Sequence, residues 1–517
     1  MFDAGKLKEF ISSSGFIASK PAEQQNEATG GGGNVHGREE YETNFSSGPA
    51  PEYGYAGQAE AEGFEYGGQQ MEGDSYQRQA AAMFQENQEG SLDYYPGDSG
   101  ENVDEFGAEK AKISPLQAAW NVTNAIQGMF VVSLPYAVLH GGWWGVGALV
   151  GIAAICYYTG LLLVECLYDE EGKRVRGSYR AVAEACWGPI LGGRLVLGAQ
   201  MTELLMTCIL YVVLCGDLME GSFPDAAMDK MGWMLLCSAV LLPCAFLMDL
   251  RAVSTLSFWN AVSHFFINAI ILVYCLSQIG RWSFSSVSFG LDLETFPTVL
   301  GIVVFSYTSH IFLPSLEGSL EDRSMFRPML KWSHVAAAVF KALFALIGFL
   351  TFSAFTQEEV TNNLPSQQFK VLVNLILVVK ALLSYPLPFF QAVQILQEEF
   401  FRGKRVGSFP TCLSADGSMR EWALALRICL VLFTLFMALS IPHFALLMGL
   451  VGNITGTMLS FIWPSLFHYQ LKRTSISGKE RASSLAIIGL GCLFGIVGIY
   501  YSSAQLSRAI NQKDAYA

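Results

Sequence analysis

The chain reads as an all-α polytopic membrane protein with eleven transmembrane helices, and three observations carry that expectation. Of its 517 residues, 52% are hydrophobic and only 15% are charged, a balance outside the range of ordinary water-soluble domains. From residue 113 onward, apolar runs long enough to cross a bilayer recur with short polar loops between them. The basic residues fall in alternate loops. The runs lie at roughly 115–139, 143–167, 196–218, 232–248, 255–279, 297–316, 332–354, 370–396, 421–439, 442–468 and 483–505, spans one to eleven in order. Loops 168–195, 249–254, 317–331, 397–420 and 469–482 together hold 17 Lys/Arg, whereas the loops between them hold Lys230, Arg281 and, at a span edge, Lys370. That asymmetry assigns the basic set to the cytosol. The N-terminus is then cytosolic, and a short C-terminus, 507–517, lies on the far side.

The net charge of −13 belongs to one region. Residues 1–112 hold 21 Asp/Glu against 7 Lys/Arg, while residues 113–517 hold 24 against 25. The first 112 residues are rich in Gly, Gln, Glu and Tyr and poor in aliphatic side chains, which predicts a disordered acidic tail. Within it, Leu7, Phe10 and Ile11 stand at helical spacing, either a sorting element for a partner protein or a transient amphipathic turn. The tail has no apolar run long enough for a signal peptide. Its four glycines at 30–33 lack the Gly-Lys-Ser/Thr ending of a phosphate loop. Nine of the 11 cysteines lie in apolar spans, and Cys186 and Cys412 lie in loops assigned to the cytosol, so no disulfide framework is expected. Metal-ligand spacing and a nucleophile elbow are also missing. The pattern therefore points away from an enzyme, from a cofactor and from a nucleic-acid partner.

Span one is the least regular. In ISPLQAAWNVTNAIQGMFVVSLPYAVL, the residues Gln117, Asn121, Asn124 and Gly128 share one helical face, polar where a lipid-facing helix would carry Leu or Ile. The run from Met129 to Leu139 is apolar but has only 11 residues, too few to span a bilayer alone. Two half-helices meeting at Gln127, Gly128 and Met129 satisfy both facts. A continuous helix with a packed polar face is the other reading. Span six repeats the peculiarity: Ser306-Tyr307-Thr308-Ser309-His310 interrupts an apolar run. Leu134-Pro135 and Leu313-Pro314 follow the two interruptions at similar distances. Two interrupted helices five spans apart are the arrangement of inverted five-helix repeats. Repeat one covers about 113–280, repeat two about 295–470, and the last helix about 483–505.

Ionisable groups deep in spans are costly and default to functional candidates. Glu203 in span three is the one carboxylate near a span centre, either a carrier of coupled protons or half of a static ion pair with a lysine. Lys380 in span eight precedes Ser384-Tyr385-Pro386. Its ammonium could fill the place where a sodium-coupled transporter binds its cation, which favours proton coupling, or it forms a structural salt bridge. Lys341 in span seven reads more readily as structural, and His264 and His310 as buried, satisfied histidines.

Substrate chemistry follows from the interruptions. Free N–H groups at Gly128 and beyond, at the positive end of a half-helix, favour a small carboxylate. Free carbonyls near Ser306 and the hydroxyls of Thr308 and Ser309 could accept bonds from an ammonium group. The rings of Phe130 or Tyr307 could face it. A zwitterionic amino acid fits both ends, with Asn124, Gln127, Met129 and Tyr385 completing the binding candidates.

Five stretches, WNVTNAIQGMFVVSLPYAVLHGG, MTCILYVVLCGDLM, IVVFSYTSHIFLPSLEG, ALLSYPLPFF and IPHFALLMGLVGNITG, resemble the vesicular branch of the amino acid/auxin permease family. The resemblance covers about 113–470. It implies eleven spans in a LeuT-like arrangement and a synaptic-vesicle location. It further implies loading of γ-aminobutyrate (GABA) and glycine by alternating access, in exchange for lumenal protons, with or without chloride. A vacuolar proton ATPase would maintain the gradient. The residues it carries over are the break from Asn124 to Met129, Glu203, and 306–309. His310 stands where a glutamine is expected in such relatives, so no proton role is carried to it. A plasma-membrane amino acid symporter of the same fold and an amino-acid-sensing transceptor remain the alternatives.

Overall fold

A computed structural model describes Ala119, Ile126 and residues 128–246, 250–400 and 421–514; for 129, 250–261, 397–400 and 512–514 it describes the backbone alone. The acidic tail and residues Gln117, Asn121, Asn124, Gln127 and Cys412 lie outside the described residues.

Every named element is helical. Among the described residues, seven helices are long and apolar enough to cross a membrane, and three shorter apolar helices lie at Lys230–Phe246, Val262–Ser277 and Phe296–Tyr307. Helix α1 (Leu134–Glu165) would be far too long for one crossing at about 1.5 Å per residue, but its backbone leaves helical geometry at Gly142, with φ 53° and ψ −140°. A side chain there would strike the carbonyl of Ser288, which also accepts the Trp143 N–H at 3.0 Å. Glycine is thus required where the chain turns from span one into span two. Helix α2 (Tyr179–Gly188) starts at Ser178, whose hydroxyl accepts from the Ala181 N–H. Span three is α3 (Arg194–Ser222), span four α4 (Lys230–Leu241) with a 3-10 extension to Phe246, and span five α5 (Leu250–Ser277).

Span six is split as the interruption requires: α6 (Phe296–Tyr307) ends, Thr308 to Phe312 run outside helical pairing, and α7 (Leu313–Gly318) follows. Span seven is α8 (Phe326–Phe352), and span eight is α9 (Gln367–Ser384) followed by α10 (Pro386–Phe400). Span nine is α11 (Glu421–Ser440). Span ten runs from α12 (Phe444–Val451) through π-helical segments Gly452–Gly456 and Met458–Ile462 into α13 (Trp463–Leu471), and α14 (Gly478–Asp514) closes the chain.

The two Leu-Pro pairs have one structural meaning. Pro135 and Pro314 both sit in the first turn of the second half-helix, where a missing N–H costs nothing. Helix α6 is the central rod. Every residue from Pro297 to Tyr307 is buried, which explains a sequence apolar all round. It packs on α1, α12, the first π segment and α14. Gly301 meets Gly449 and Gly452 so closely that a methyl group on Gly301 or Gly452 would overlap the facing carbonyl. Small residues let the two backbones touch.

Candidate functional site

The site is built where three interruptions of helical geometry come together. In span one, Ile126 is helical and Gly128 is not, with φ −17° and ψ 173°. A 3-10 turn, Met129–Ser133, then leads into α1, and no side chain caps its start. In span six, the last bond of α6 runs from the Thr308 N–H to Phe305 O. In span ten, the π segment Gly452–Gly456 widens the helix by one residue per turn, a distortion that recurs at functional sites.

Phe130 joins the first break to the end of α6 and to the start of span ten. Its ring stacks on Tyr211 of α3 at 5.3 Å and meets Phe305 of α6 edge-on at 5.2 Å. It also lies 5.9 Å from Phe444 at the start of span ten. The hydroxyl of Tyr211 is hydrogen bonded to that of Ser384 in α9. One aromatic side chain at the first break thereby touches spans three, six and ten, with span eight one bond away.

Around the second break the polar atoms are divided between internal partners and unused ones. Ser306 Oγ donates to Val303 O at 2.7 Å and Thr308 Oγ1 to Val304 O at 3.2 Å. The Ser306 carbonyl accepts from Lys341 Nζ, and that ammonium lies 3.9 Å from the centre of the Tyr307 ring. Tyr307 Oη and Ser309 Oγ are buried with no partner among the described residues. His310 Nε2 and Thr159 Oγ1 are 2.9 Å apart.

Glu203 is 5% exposed and accepts a bond from Thr455 Oγ1, in the π segment of span ten. Among the described residues it has no lysine partner. Lys380, 4% exposed, bonds His264 Nδ1 at 2.6 Å and not a carboxylate. Tyr385 turns to span nine, its hydroxyl 2.9 Å from Thr434 Oγ1. The structure thus gathers Gly128, Phe130, Ser306, Tyr307, Thr308 and Ser309 around the two breaks, sets Glu203 against span ten, and leaves Lys380 and Tyr385 with partners of their own. The side chain of Met129 is not described.

Tyr211, Phe444 and Thr455 carry no mark in a sequence. Aromatic residues in apolar spans show no polar contrast, and a threonine 252 positions from Glu203 has no local signal. Only Lys341 had one, as a charge at a span centre.

Residues 111–506 match the transmembrane amino acid transporter protein family. The chain belongs to it. It is a transporter and not an enzyme. The chain is 57% identical over 412 residues to the vesicular GABA transporter of Caenorhabditis elegans, covering 80% of this chain and 84% of that one. It is 48% identical over 448 residues to the vesicular inhibitory amino acid transporter of Mus musculus, covering 85% and 84%. Among solved structures, the inward-facing conformation of Mhp1 matches 82% of this chain and 96% of its own at 11% identity and a TM-score of 0.44, too loose a likeness to argue from.

Proposed function

We propose that the chain loads GABA and glycine into vesicles, including synaptic vesicles, in exchange for lumenal protons. It does so by alternating access within eleven spans arranged as two inverted, LeuT-like five-helix repeats and a last helix. The N-terminus is cytosolic and the C-terminus lumenal. The observation that carries this reading is the meeting of two broken half-helices at the Phe130 ring, with the Glu203 carboxyl bonded to the neighbouring π segment. The N–H groups at the uncapped start of the turn after Gly128 suit a carboxylate, and the oxygens of Tyr307 and Ser309, without partners among the described residues, suit an ammonium. Asn124, Gln127 and Met129 remain binding candidates from the sequence. The names of the vesicular relatives supply the substrate class.

Glu203 is the proton-coupling group, because its side-chain partner among the described residues is a hydroxyl that can serve either protonation state. A proton on Glu203 removes the charge from its bond to Thr455 and so weakens the tie between spans three and ten; Lys380 supports the coupling through His264. Each pH unit is worth about 1.4 kcal/mol per proton and each 100 mV about 2.3 kcal/mol per charge. One proton leaving an acidic vesicle can therefore concentrate a zwitterion by about two orders of magnitude. A vacuolar ATPase would supply the gradient, and chloride movement would adjust its electrical part.

The test is uptake of labelled GABA and of glycine by the purified chain in liposomes with an acidic interior. The native protein accumulates both and loses accumulation when an ionophore collapses the gradient. Glu203→Gln abolishes gradient-driven uptake while keeping native elution and melting behaviour. Uptake at the native rate by that variant removes Glu203 from the mechanism; native protein indifferent to the gradient removes proton exchange altogether.

A further inference from the structure

Lys341 has no place in the coupling scheme above, yet its amino group stands at the break in span six. It is fully buried. In a continuous helix, Ser306 O would accept from the N–H of residue 310; the break leaves that carbonyl without its helical donor, and Lys341 Nζ supplies the missing bond. The same ammonium sits 3.9 Å from the Tyr307 ring centre, within the range of a cation–π contact. The titratable groups facing it are Cys156 of span two, His264 of span five and His334 on its own helix. Among the described residues no carboxylate pairs with it. A buried cation without an anion is costly, so its partners, one backbone carbonyl and one ring, must both be held where the charge can use them.

We propose that Lys341 is a positioning residue: a tethered cation that caps the open carbonyl of span six and fixes its break. It does the work that a bound alkali ion would otherwise do there, so transport needs no sodium or potassium. Removing the ammonium leaves an anion-like carbonyl opening that a small free cation can enter.

The experiment uses the full chain in liposomes with an imposed pH gradient, in choline, sodium and potassium buffers, together with hydrogen exchange of peptides covering 303–312. Native protein transports equally in all three. Lys341→Ala loses about tenfold or more of its uptake in choline, since small misplacements at a site are amplified in rate. Sodium, potassium or methylammonium then recovers part of that loss and lowers the raised exchange of 303–312. Lys341→Arg, which keeps the charge, stays within a few-fold of native. Lys341→Met, of similar length without charge, substitutes for the alanine variant if that one fails to fold. Native uptake by the folded neutral variant overturns the proposal, as does a loss that no small cation relieves or that leaves 303–312 unchanged. The activity arm rests on the proposed transport reaction; if native protein takes up neither amino acid, that reading fails, and the exchange arm still decides the role of Lys341.

Discussion

The end of the molecule carrying Glu317 and the end carrying Glu359 each tie several spans together, with opposite charge balance. At the first end, Glu317 (1% exposed) is held by Arg174 at 3.0 Å, by Arg323 at 3.8 Å and by the hydroxyl of Tyr168. Nearby, Glu165 is shared between Arg327 and His468, and Lys472 donates to the carbonyls of Tyr168 and Asp169. Cations outnumber carboxylates. At the second end, Asp217, Glu358 and Glu359 share one cation among the described residues, Lys230, which pairs with Asp217 and donates to Pro442 O at 2.6 Å. Glu358 accepts from the Ala445 N–H at 2.8 Å, and its carbonyl accepts from Ser133 Oγ at 2.7 Å. Glu359 is 3% exposed, and its Oε1 has no partner among the described residues. At the first end Glu317 and Glu165 each have an arginine partner. At the second, a buried Glu359 and two half-buried carboxylates share one lysine among the described residues, which favours a proton on Glu359.

The largest effect belongs to the compensated end. Glu317→Ala strands Arg174 (9% exposed) with an unpaired charge, and breaking a buried pair costs about 3–5 kcal/mol. Thermal unfolding in detergent should show a lowered melting temperature, together with loss of gradient-driven uptake. A variant that melts with the native chain would mean that the Glu317 cluster is not what holds spans two, six and seven at that end.

The next effect sits at the opposite end and depends on pH. Burial first, then Asp217 and Glu358, push the Glu359 carboxyl well above the usual carboxylate range, with Lys230 opposing them. A raised folded value means that the closed form binds the proton more tightly than the opened one. The stabilisation is full below the ordinary carboxylate value and is lost as pH rises through the folded value. Hydrogen exchange of the segment 356–364, corrected for the intrinsic pH effect, should therefore rise on the order of tenfold per pH unit across that window. Glu359→Gln should flatten the profile, since a neutral amide mimics the protonated acid. A profile of unchanged slope in the variant assigns the pH response to Asp217 instead.

The two ends were not equally legible in the sequence. Loop charges were visible, because 17 basic residues crowd one set of loops; their pairing was not, because Arg174 and Glu317 are 143 positions apart and meet only through packing. Both helix breaks were legible for a local reason: polar residues and glycine interrupt runs too short to span the bilayer. The Leu-Pro echo gained its cause only from the fold, which places each proline in the first turn of a half-helix. Glu203 stood out as the one deep carboxylate, but its partner Thr455 depends on a π segment that no local pattern announces. Lys341, read as structural, holds the carbonyl of the break, whereas Lys380, the lysine with the functional expectation, bonds an imidazole. Charge at a span centre flagged both lysines; only tertiary packing separated their partners.

The smallest effect returns to the compensated end and measures its redundancy. Arg327 is 66% exposed where it meets Glu165, itself 37% exposed. Exposed pairs of this kind contribute about 0–1 kcal/mol, because water screens them and two long side chains must be held still. Glu165 also keeps His468 at 3.1 Å after Arg327 is gone. Arg327→Ala should therefore shift the melting temperature by a fraction of the Glu317→Ala effect and leave uptake nearly native. The Arg327→Ala/His468→Gln double variant changes both partners and should lose more than the sum of the single changes, since only then does Glu165 lose both of its partners among the described residues. Strict additivity would show that the two partners act independently and that the end is a set of separate pairs. A loss beyond additivity makes it one network, the property that sets it apart from the single-lysine end around Glu359.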